Sequence, residues 1–359
     1  MKNIYSYFFI PLFILAITFS CVNQPFDSQD RSDTVDTKGA VEHPSWSRNA
    51  VLYEVNVRQF TSSGTFDGIQ RHLLRLYKMG IDIVWFMPVH PIDVENRKGE
   101  LGSYYSVKNY KKVNPEFGSM DTFKALVDSI HSAGMHVIID WVPGHTSRDN
   151  QLIEEHPEWY KMDSSGNFVA PRGRGDAILF DYENEDLRTY MIDAMKFWIE
   201  ETNVDGFRCD AADLVPVDFW NQLRDELELA FDKDIFLVAE SDQPELHNEA
   251  FDMTYGLKFY HLMNEIVRGN QTALDINEHF QYEDSAFLPD AYIMQFTSNH
   301  TENSLNGPAT ERFGDGVKTF AVLAGTVPDM LLIYNGQEVG LNKRLKFFEK
   351  DSINWVDTS

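Results

Sequence analysis

The stretch Val204-Asp-Gly-Phe-Arg-Cys-Asp210, followed by Phe236-Leu-Val-Ala-Glu240, decides the fold. Each run is short and apolar and ends on a carboxylate, which is the pattern of a buried strand with a polar end. The segment 216–231 between them has helical spacing of apolar residues, so the three pieces form a βαβ unit with parallel neighbouring strands. Asp210 and Glu240 are therefore expected at the same edge of one sheet. Strand-end acids can also act only as solvated caps, and the rest of the chain must decide between these two interpretations.

The same alternation of apolar strands and amphipathic helices runs from Trp46 onward. Further strands are predicted at 51–57, 81–87, 135–140, 251–254, 291–297 and 331–334. Eight strands alternating with seven helices predict an α/β fold, a (β/α)8 TIM barrel over 46–359. An open doubly wound sheet is the alternative, but no glycine-rich phosphate loop follows the first strand. Segment 141–182 is rich in Pro, Gly and Asp and is predicted to be a short inserted loop or subdomain after strand three.

The N-terminus has the pattern of an export signal over residues 1–21. Lys2 precedes an apolar run at 10–19 that is short for a membrane span. Cys21 follows directly, which indicates a bacterial lipoprotein whose cysteine is lipidated after cleavage; ordinary secretion and an uncleaved anchor are the alternatives. Residues 22–45 are polar and are predicted to be a flexible tether. This pattern places the protein in the bacterial cell envelope, periplasmic or at the cell surface.

Charge and composition limit the class of partner. A net charge of −25 argues against nucleic acid, which requires basic patches, and suits a protein that handles a neutral ligand. The apolar fraction of 43% is ample for a core. The one cysteine besides Cys21 is Cys209, so no disulfide framework is expected. Membrane contact is expected only through the lipid anchor.

Polar residues gather after the predicted strands, where the active sites of such barrels lie. They are Asp140, His145, Arg208, Asp210, Glu240, Asn299 and His300. No metal-ligand spacing is present, and no Ser or Cys nucleophile stands with a base, so neither a metal nor a cofactor is expected. Because several strand ends converge on one rim, a functional site is favoured over unrelated acids that only cap their strands. Either histidine alone, however, could be a loop residue with ordinary local hydrogen bonds.

Two carboxylates with an arginine beside one of them suit the cleavage of a glycosidic bond. That reaction needs one ionised carboxylate and one protonated carboxylic acid. Arg208 is expected to hold Asp210 ionised through its adjacent positive charge. Glu240 follows an apolar strand and has no cation in its own segment, so it is expected to keep its proton.

Several motifs of the chain resemble the sequence regions of glycoside hydrolase family 13, the α-amylase family. They are Asp140-Trp-Val-Pro-Gly-His145, Gly206-Phe-Arg-Cys-Asp210, Glu240, Phe296-Thr-Ser-Asn-His300, Gly102-Ser-Tyr-Tyr105 with Tyr110, and Leu332-Ile-Tyr-Asn-Gly-Gln-Glu338. The resemblance extends from about Trp46 to the end of the chain, and it implies a barrel that acts on an α-linked glucan or oligosaccharide.

The resemblance also implies roles for individual residues. Asp210 would be the nucleophile and Glu240 the acid/base. The residues expected to bind the sugar are Tyr105, His145, Arg208, Asn299 and His300, with Tyr105 stacking beneath it, and Asp140 is expected to support the site. Tyr105 could also be a core tyrosine.

The chain departs from the family pattern at positions that matter for chemistry. Thr301 stands where the family has its third catalytic carboxylate, and Gly144 stands where it has an asparagine that binds calcium, so a calcium requirement is doubtful. Asp213 and Leu214 replace the Lys-His of many amylases. The last barrel helix and the C-terminal β-domain are expected to be absent. The predicted function is a retaining α-glucan hydrolase of reduced activity; a family member that binds α-glucan without turnover is the alternative.

Overall fold

A computed structural model describes residues 41–355, and its centre is a closed barrel of eight parallel strands. The barrel strands are β1 (Leu52–Val55), β2 (Ile83–Phe86), β3 (His136–Trp141), β6 (Gly206–Cys209), β7 (Phe236–Ala239), β8 (Met253–Tyr255), β9 (Tyr292–Phe296) and β10 (Met330–Tyr334). They pair in chain order, and β1 closes the barrel against β10, with Leu52 opposite Leu332. The (β/α)8 prediction is therefore confirmed, and the open sheet is wrong.

Two further strands, β4 (His145–Ser147) and β5 (Ala177–Leu179), form a separate antiparallel pair. Both lie within 141–182, together with helix α5 (Leu152–Glu155). The insertion after the third barrel strand thus contains its own small sheet, which stands beside the carboxyl ends of β3 and β6. This position makes it one wall of the site described below.

Helices connect the barrel strands on the outside. They are α1 (Val57–Phe60), α2 (Phe66–Gln70), α3 (Leu73–Lys78), α4 (Met120–Ser132), α6 (Glu185–Thr202), α7 (Val217–Ala230), α8 (Leu257–Val267), α9 (Asp275–Ala286), α10 (Ala309–Phe313) and α11 (Val317–Ala324). The expectation of a helix between every pair of strands is wrong at one connection: β7 and β8 are joined only by a 3-10 turn, Pro244–His247. That connection is too short for a full helix.

Alternation of side chains along the strands produces two cores. Inward residues such as Leu52, Ile138 and Val238 fill the barrel, whereas outward residues such as Val137 and Leu237 pack beneath the helices. At one point the strands approach closely. A Cβ atom on Gly206 would lie 1.9 Å from the carbonyl oxygen of Phe236, so only glycine fits this position next to β7.

The amino ends of the strands are covered by residues 41–46. His43 Nδ1 contacts Asp252 Oδ1 at 2.9 Å, and the Trp46 ring stacks on His136 at 3.7 Å. Residues 41–45, which belong to the predicted tether, therefore pack against the barrel. The export signal at 1–21, the proposed lipid site at Cys21 and tether residues 22–40 lie outside the described residues. Among the helices of 41–355, none is both long and apolar enough to cross a membrane.

After β10 the chain makes a 3-10 turn, Gln337–Val339, and continues without an α-helix as far as residue 355. This segment folds back over the loops at the carboxyl ends of the strands. Leu101 N–H donates to the Phe348 carbonyl at 2.9 Å, and Trp355 Nε1 donates to the Phe60 carbonyl at 2.6 Å. The segment thereby brings Phe347 to the rim that carries the polar residues.

Candidate active site

Arg208 lies at the centre of the polar cluster, at the carboxyl end of β6, with 0% of its side chain exposed. The register of the barrel places it opposite Asp140 of β3. Its Nη1 donates to Asp140 Oδ1 at 2.8 Å and to Asp210 Oδ1 at 3.0 Å. Its Nη2 forms an ion pair with Glu240 Oε1 at 2.7 Å without hydrogen-bond geometry. One guanidinium therefore holds three carboxylates together.

Glu240 has no cation in its own segment, but Arg208 of the neighbouring strand contacts it as well as Asp210. A strand-end pattern gives the face of a side chain but not the reach of an arginine, and the guanidinium contacts both acids. Burial alone would lower the pKa of Arg208, but the Asp140 and Glu240 carboxylates outweigh it and raise that pKa well above its ordinary value. Arg208 is thus a permanent positive charge in the floor of the site.

Asp210 and Glu240 reach the surface of the cleft, with 14% and 28% of their side chains exposed. Ala211 adopts a left-handed backbone with φ of 44°, a strained conformation for a residue with a Cβ. Its N–H donates to Glu240 Oε2 at 2.9 Å. Burial, with help from the Asp210 charge, raises the pKa of Glu240 in spite of Arg208 and this N–H. The raised pKa of Glu240, the residue predicted to be the protonated acid, is thus caused by burial and not by the absence of a nearby cation.

Tyr105 joins Asp140 to His300. Its hydroxyl lies 2.9 Å from Asp140 Oδ2 and 2.8 Å from His300 Nε2, and its ring stacks on the imidazole at 5.3 Å. The Phe347 ring also stacks on the Tyr105 ring, with 6.3 Å between the ring centroids. Burial raises the pKa of Asp140 to about 7 against the opposing charge of Arg208. Tyr105 is therefore buried and borders the smaller cavity, while its stacking beneath a sugar stays a prediction.

His145 is directed at the backbone of the neighbouring loop. Its Nε2 lies 2.8 Å from the Tyr105 carbonyl, to which it donates. Burial and the nearby Arg174 lower the pKa of His145 to about 3, so the ring is neutral. It borders the cleft beside the insertion, where it also fixes the position of Tyr105.

Asn299 and Thr301 lie on the loop after β9. Asn299 Oδ1 accepts the N–H of Glu302 at 2.8 Å, so this side chain caps the following π-helical turn, Glu302–Asn306. Thr301 borders two adjoining cavities of about 230 and 270 Å³, and Glu240 lines both. The position where the family has a carboxylate thus faces the site, and it carries a neutral hydroxyl.

Glu302, the acid next to Thr301, lines the 270 Å³ cavity together with Glu240. Its Oε2 accepts hydrogen bonds from the Tyr260 hydroxyl and from Asn306 Nδ2. Arg312 also donates to Tyr260 at 3.0 Å. One oxygen of the acid nearest in sequence to Thr301 is therefore already engaged.

The cleft continues from Asp210 toward the insertion. A cavity of about 770 Å³ runs between the β4–β5 pair and the loop after β6. It is lined by His145, Arg174, Tyr182, Asp210, Asp213 and Leu214, among others. This volume lies within the range of roughly 300–1,000 Å³ that small-molecule sites occupy.

Gly144 has no side-chain oxygen to offer a calcium ion, which binds six to eight oxygen ligands. Within residues 41–355, no group of three or more His, Cys, Asp or Glu side chains is placed to hold a metal ion. That calcium is dispensable stays a prediction.

The sequence interpretation missed four residues of the site. Tyr255 accepts from Arg208 Nε at 2.9 Å, Arg174 donates to the Tyr105 carbonyl at 3.1 Å, and Phe347 lines the smaller cavity. Glu54, on β1, contacts His300 Nδ1 at 2.5 Å. One signal was available for Glu54, since it is the only charged residue in the predicted strand 51–57. Arg174 and Phe347 lie on irregular segments, where no periodicity indicates a direction.

Comparison with known proteins gives one consistent result. Residues 26–176 and 159–357 match the family model described as "Alpha amylase, catalytic domain". An alpha-amylase structure from Lactobacillus plantarum is 33% identical with a TM-score of 0.80, over 86% of this chain and 76% of that one. A noncanonic maltogenic alpha-amylase, AmyB, from Thermotoga neapolitana is 33% identical with a TM-score of 0.79, over 86% of this chain and 72% of that one.

Curated relatives are more distant and longer. Alpha-amylase MalA of Haloarcula japonica is 24% identical over 87% of this chain, and a cyclomaltodextrinase of Bacillus sp is 25% identical over 83%. The chain spans 46% and 60% of the lengths of these two proteins. The family match covers most of the chain, and the barrel carries the family's motifs at the ends of its strands. The chain therefore belongs to the alpha-amylase family, glycoside hydrolase family 13, and contains its catalytic domain.

Proposed function

We propose that this chain hydrolyses α-glucosidic bonds in a glucan or oligosaccharide with net retention of anomeric configuration, at a reduced rate. The observation that carries the proposal is the contact of one buried guanidinium with both Asp210 and Glu240 at the floor of an open cleft. Retaining glycosidases need their two carboxyl groups close together, about 5–5.5 Å apart. Sharing one guanidinium favours such proximity.

The geometry supports a two-step displacement. Asp210 attacks the anomeric carbon while Glu240 gives its proton to the glycosidic oxygen, so that the bond to the leaving sugar breaks as the bond to Asp210 forms. Glu240, now ionised, takes a proton from water, and the resulting hydroxide displaces Asp210. The raised pKa of Glu240 suits the first step, because the acid must be protonated.

The cleft favours a chain of neutral sugars as substrate. The 770 Å³ cavity continues from Asp210, and Leu214 at its edge is 70% exposed, an apolar surface against which the face of a sugar can pack. Relatives whose names include maltogenic alpha-amylase and cyclomaltodextrinase are consistent with short α-linked glucose oligomers. We therefore place maltooligosaccharides first among substrates.

A second candidate function is glucan binding without turnover, and Thr301 is the observation that favours it. The cleft keeps its floor and walls, but no carboxylate occupies the 301 position and Glu302 is engaged with Tyr260. Binding energy of the substrate would persist while the transition state lost its extra stabilisation.

The deciding experiment follows maltoheptaose by ¹H NMR with the full chain, and a parallel calorimetric titration measures binding. The proposal expects release of an α-anomer at a slow but measurable rate, abolished in both Asp210→Asn and Glu240→Gln. Initial release of the β-anomer would overturn the retaining mechanism. Binding without any product in wild type would support the second candidate, and absence of both binding and product would reject the two together.

We also propose that the protein is exported and lipid-anchored in the bacterial envelope. The support is the sequence of residues 1–21 and the cysteine that follows the apolar run. Metabolic labelling with a radioactive fatty acid is expected to mark the wild-type chain and not Cys21→Ala. A labelled Cys21→Ala chain, or an unlabelled wild type, would contradict the anchor.

A further inference from the structure

Glu54 is a carboxylate inside the barrel, placed by β1 opposite Trp85 of β2 and Tyr334 of β10. None of its surface is exposed. A buried carboxylate costs several kcal/mol unless it is paired. Both of its oxygens face His300: Oε1 lies 2.5 Å from Nδ1, and Oε2 accepts the backbone N–H at 3.3 Å. Glu54 thus holds the side chain and the backbone of this histidine together.

The hydrogen bonds continue without a break from His300 to the catalytic floor. His300 Nε2 lies 2.8 Å from the Tyr105 hydroxyl, which lies 2.9 Å from Asp140 Oδ2. Asp140 Oδ1 accepts from Arg208 at 2.8 Å, and Arg208 contacts both Asp210 and Glu240. Glu54 is therefore linked to the reacting carboxylates although it touches neither.

With Glu54 ionised, counting protons along this chain leaves two arrangements. Nδ1–H of His300 donates to Glu54 in both of them. In the first arrangement the Tyr105 hydroxyl donates its proton to Asp140. The Tyr105 oxygen must then accept a hydrogen bond from Nε2–H of His300, and a ring protonated at both nitrogens is an imidazolium. If the Tyr105 proton instead goes to Nε2, then Asp140 must be protonated and donate to Tyr105. Asp140 and His300 thus share one proton through Tyr105.

Charge favours the first arrangement, because Glu54, His300, Asp140 and Arg208 then alternate in sign. Burial raises the pKa of Asp140 to about 7, so Asp140 competes with His300 for the proton. Burial lowers the pKa of His300, but the charge of Glu54 outweighs it and raises that pKa above its ordinary value, which favours His300. The charged and titratable groups that face His300 from all surrounding elements are Glu54, Tyr105, Asp140, Arg208 and Glu240. Its other neighbours, the rings of Trp85 and Phe347, are apolar.

We propose that Glu54 is a positioning residue for the proposed hydrolysis: it keeps the shared proton on His300, so that Asp140 stays ionised against Arg208. An ionised Asp140 partly offsets the electrostatic effect of the positively charged Arg208 on Glu240. Removing the Glu54 charge moves the proton through Tyr105 to Asp140, and Arg208 then favours ionised Glu240. The catalytic consequence rests on the proposed function, whereas the place of the proton does not.

The first arm of the test is spectroscopic and needs no activity. The full chain is labelled with ¹⁵N-histidine, and His300 is assigned by its loss in His300→Gln. At pH 7 both ring nitrogens of wild-type His300 should have imidazolium shifts. Glu54→Gln, which keeps shape and removes charge, should lower the pH of half-protonation by at least one unit, a tenfold change in the acid constant. Glu338→Gln is the matched control, because Glu338 is likewise a glutamate in an ion pair, with Arg75, but on the outside of the barrel.

A neutral His300 in wild type at pH 7 would overturn the proposal, as would an unchanged His300 in folded Glu54→Gln. If that variant does not fold, Tyr105→Phe replaces it: without the relay, Glu54 alone should still keep His300 protonated, and a neutral ring would refute the assignment.

The second arm records kcat/KM of maltoheptaose against pH. The alkaline limb should move to lower pH in Glu54→Gln and remain in place in Glu338→Gln. An unmoved limb together with a displaced His300 titration would reject the positioning role alone. A wild type without turnover would reject the proposed hydrolysis and, with it, the positioning role, whereas the ring shifts would still decide where the proton resides.

Discussion

Thr301→Asp is the change that most directly tests the chemistry of this site. Thr301 borders the two cavities that meet at Glu240, so a carboxylate there would face the sugar being cleaved. Glu302 also lines the larger of these cavities, but its Oε2 is bonded to Tyr260 and Asn306. The substitution should therefore add a function that the wild-type chain lacks.

The expected size of the effect follows from the bonds a carboxylate adds. Two charge-assisted hydrogen bonds to sugar hydroxyls contribute roughly 1.5–3 kcal/mol each, whereas the threonine hydroxyl makes one neutral bond worth about 0.5–1.5 kcal/mol. The difference of about 1.5–5.5 kcal/mol in the transition state corresponds to roughly 10–10⁴-fold in rate. Because the positive charge on the sugar ring develops only in the transition state, kcat should rise and KM should change little.

The assay is kcat and KM on maltoheptaose for wild type, Thr301→Asp and Thr301→Asn. Asparagine has the shape of aspartate without its charge, so Thr301→Asn should stay within about tenfold of wild type if charge supplies most of the effect. The double variant Thr301→Asp with Asp210→Asn should be inactive, which shows that any gain depends on the same nucleophile.

Equal rates for wild type and Thr301→Asp would refute the reasoning, because some other group would then already supply the charge. Equal gains in the aspartate and asparagine variants would show that hydrogen bonding rather than charge limits the wild-type site. A gain that appears only as a lower KM would place the new carboxylate in ground-state binding.

Four further changes have defined outcomes. Burial and the Asp210 charge raise the pKa of Glu240, so Asp210→Asn should lower it; ¹³C NMR titration of labelled glutamates measures this, and an unchanged value would contradict the coupling. Gly206→Ala should reduce the free energy of unfolding by about 1–3 kcal/mol, since its Cβ meets a carbonyl at 1.9 Å; urea unfolding with unchanged stability would show that the strands can separate there. Burial would raise the pKa of Asp205, but the hydrogen bond with His131 and the nearby His136 and Lys233 hold that pKa well below its usual range. The stability that ionised Asp205 contributes is therefore present above the unfolded carboxyl pKa of about 3.9 and is lost as pH falls through the folded pKa. Asp205→Asn should therefore cost about 1–3 kcal/mol at pH 7 and much less in strong acid, measured by urea unfolding at both pH values; an equal cost at both would reject the linkage. EDTA should leave the melting temperature unchanged, because Gly144 supplies no ligand; a fall of several degrees would reveal a metal site.

The sequence by itself determined the barrel and the position of its rim. Alternation of apolar and polar residues is a local property of each strand, and βαβ units impose parallel neighbours, so the edge that carries Asp140, Asp210 and Glu240 could be predicted without coordinates. The missing helix between β7 and β8 escaped prediction because a short connection has no periodicity to indicate it.

Only the tertiary structure decided which of these side chains meet. A strand pattern gives the face of Arg208, but closure of the barrel sets the three carboxylates within reach of its guanidinium. The pairing of Glu54 with His300 joins residues 246 positions apart, across the seam where β1 meets β10. The proton affinities of the site follow from such contacts, because burial and neighbouring charge act through space rather than along the chain.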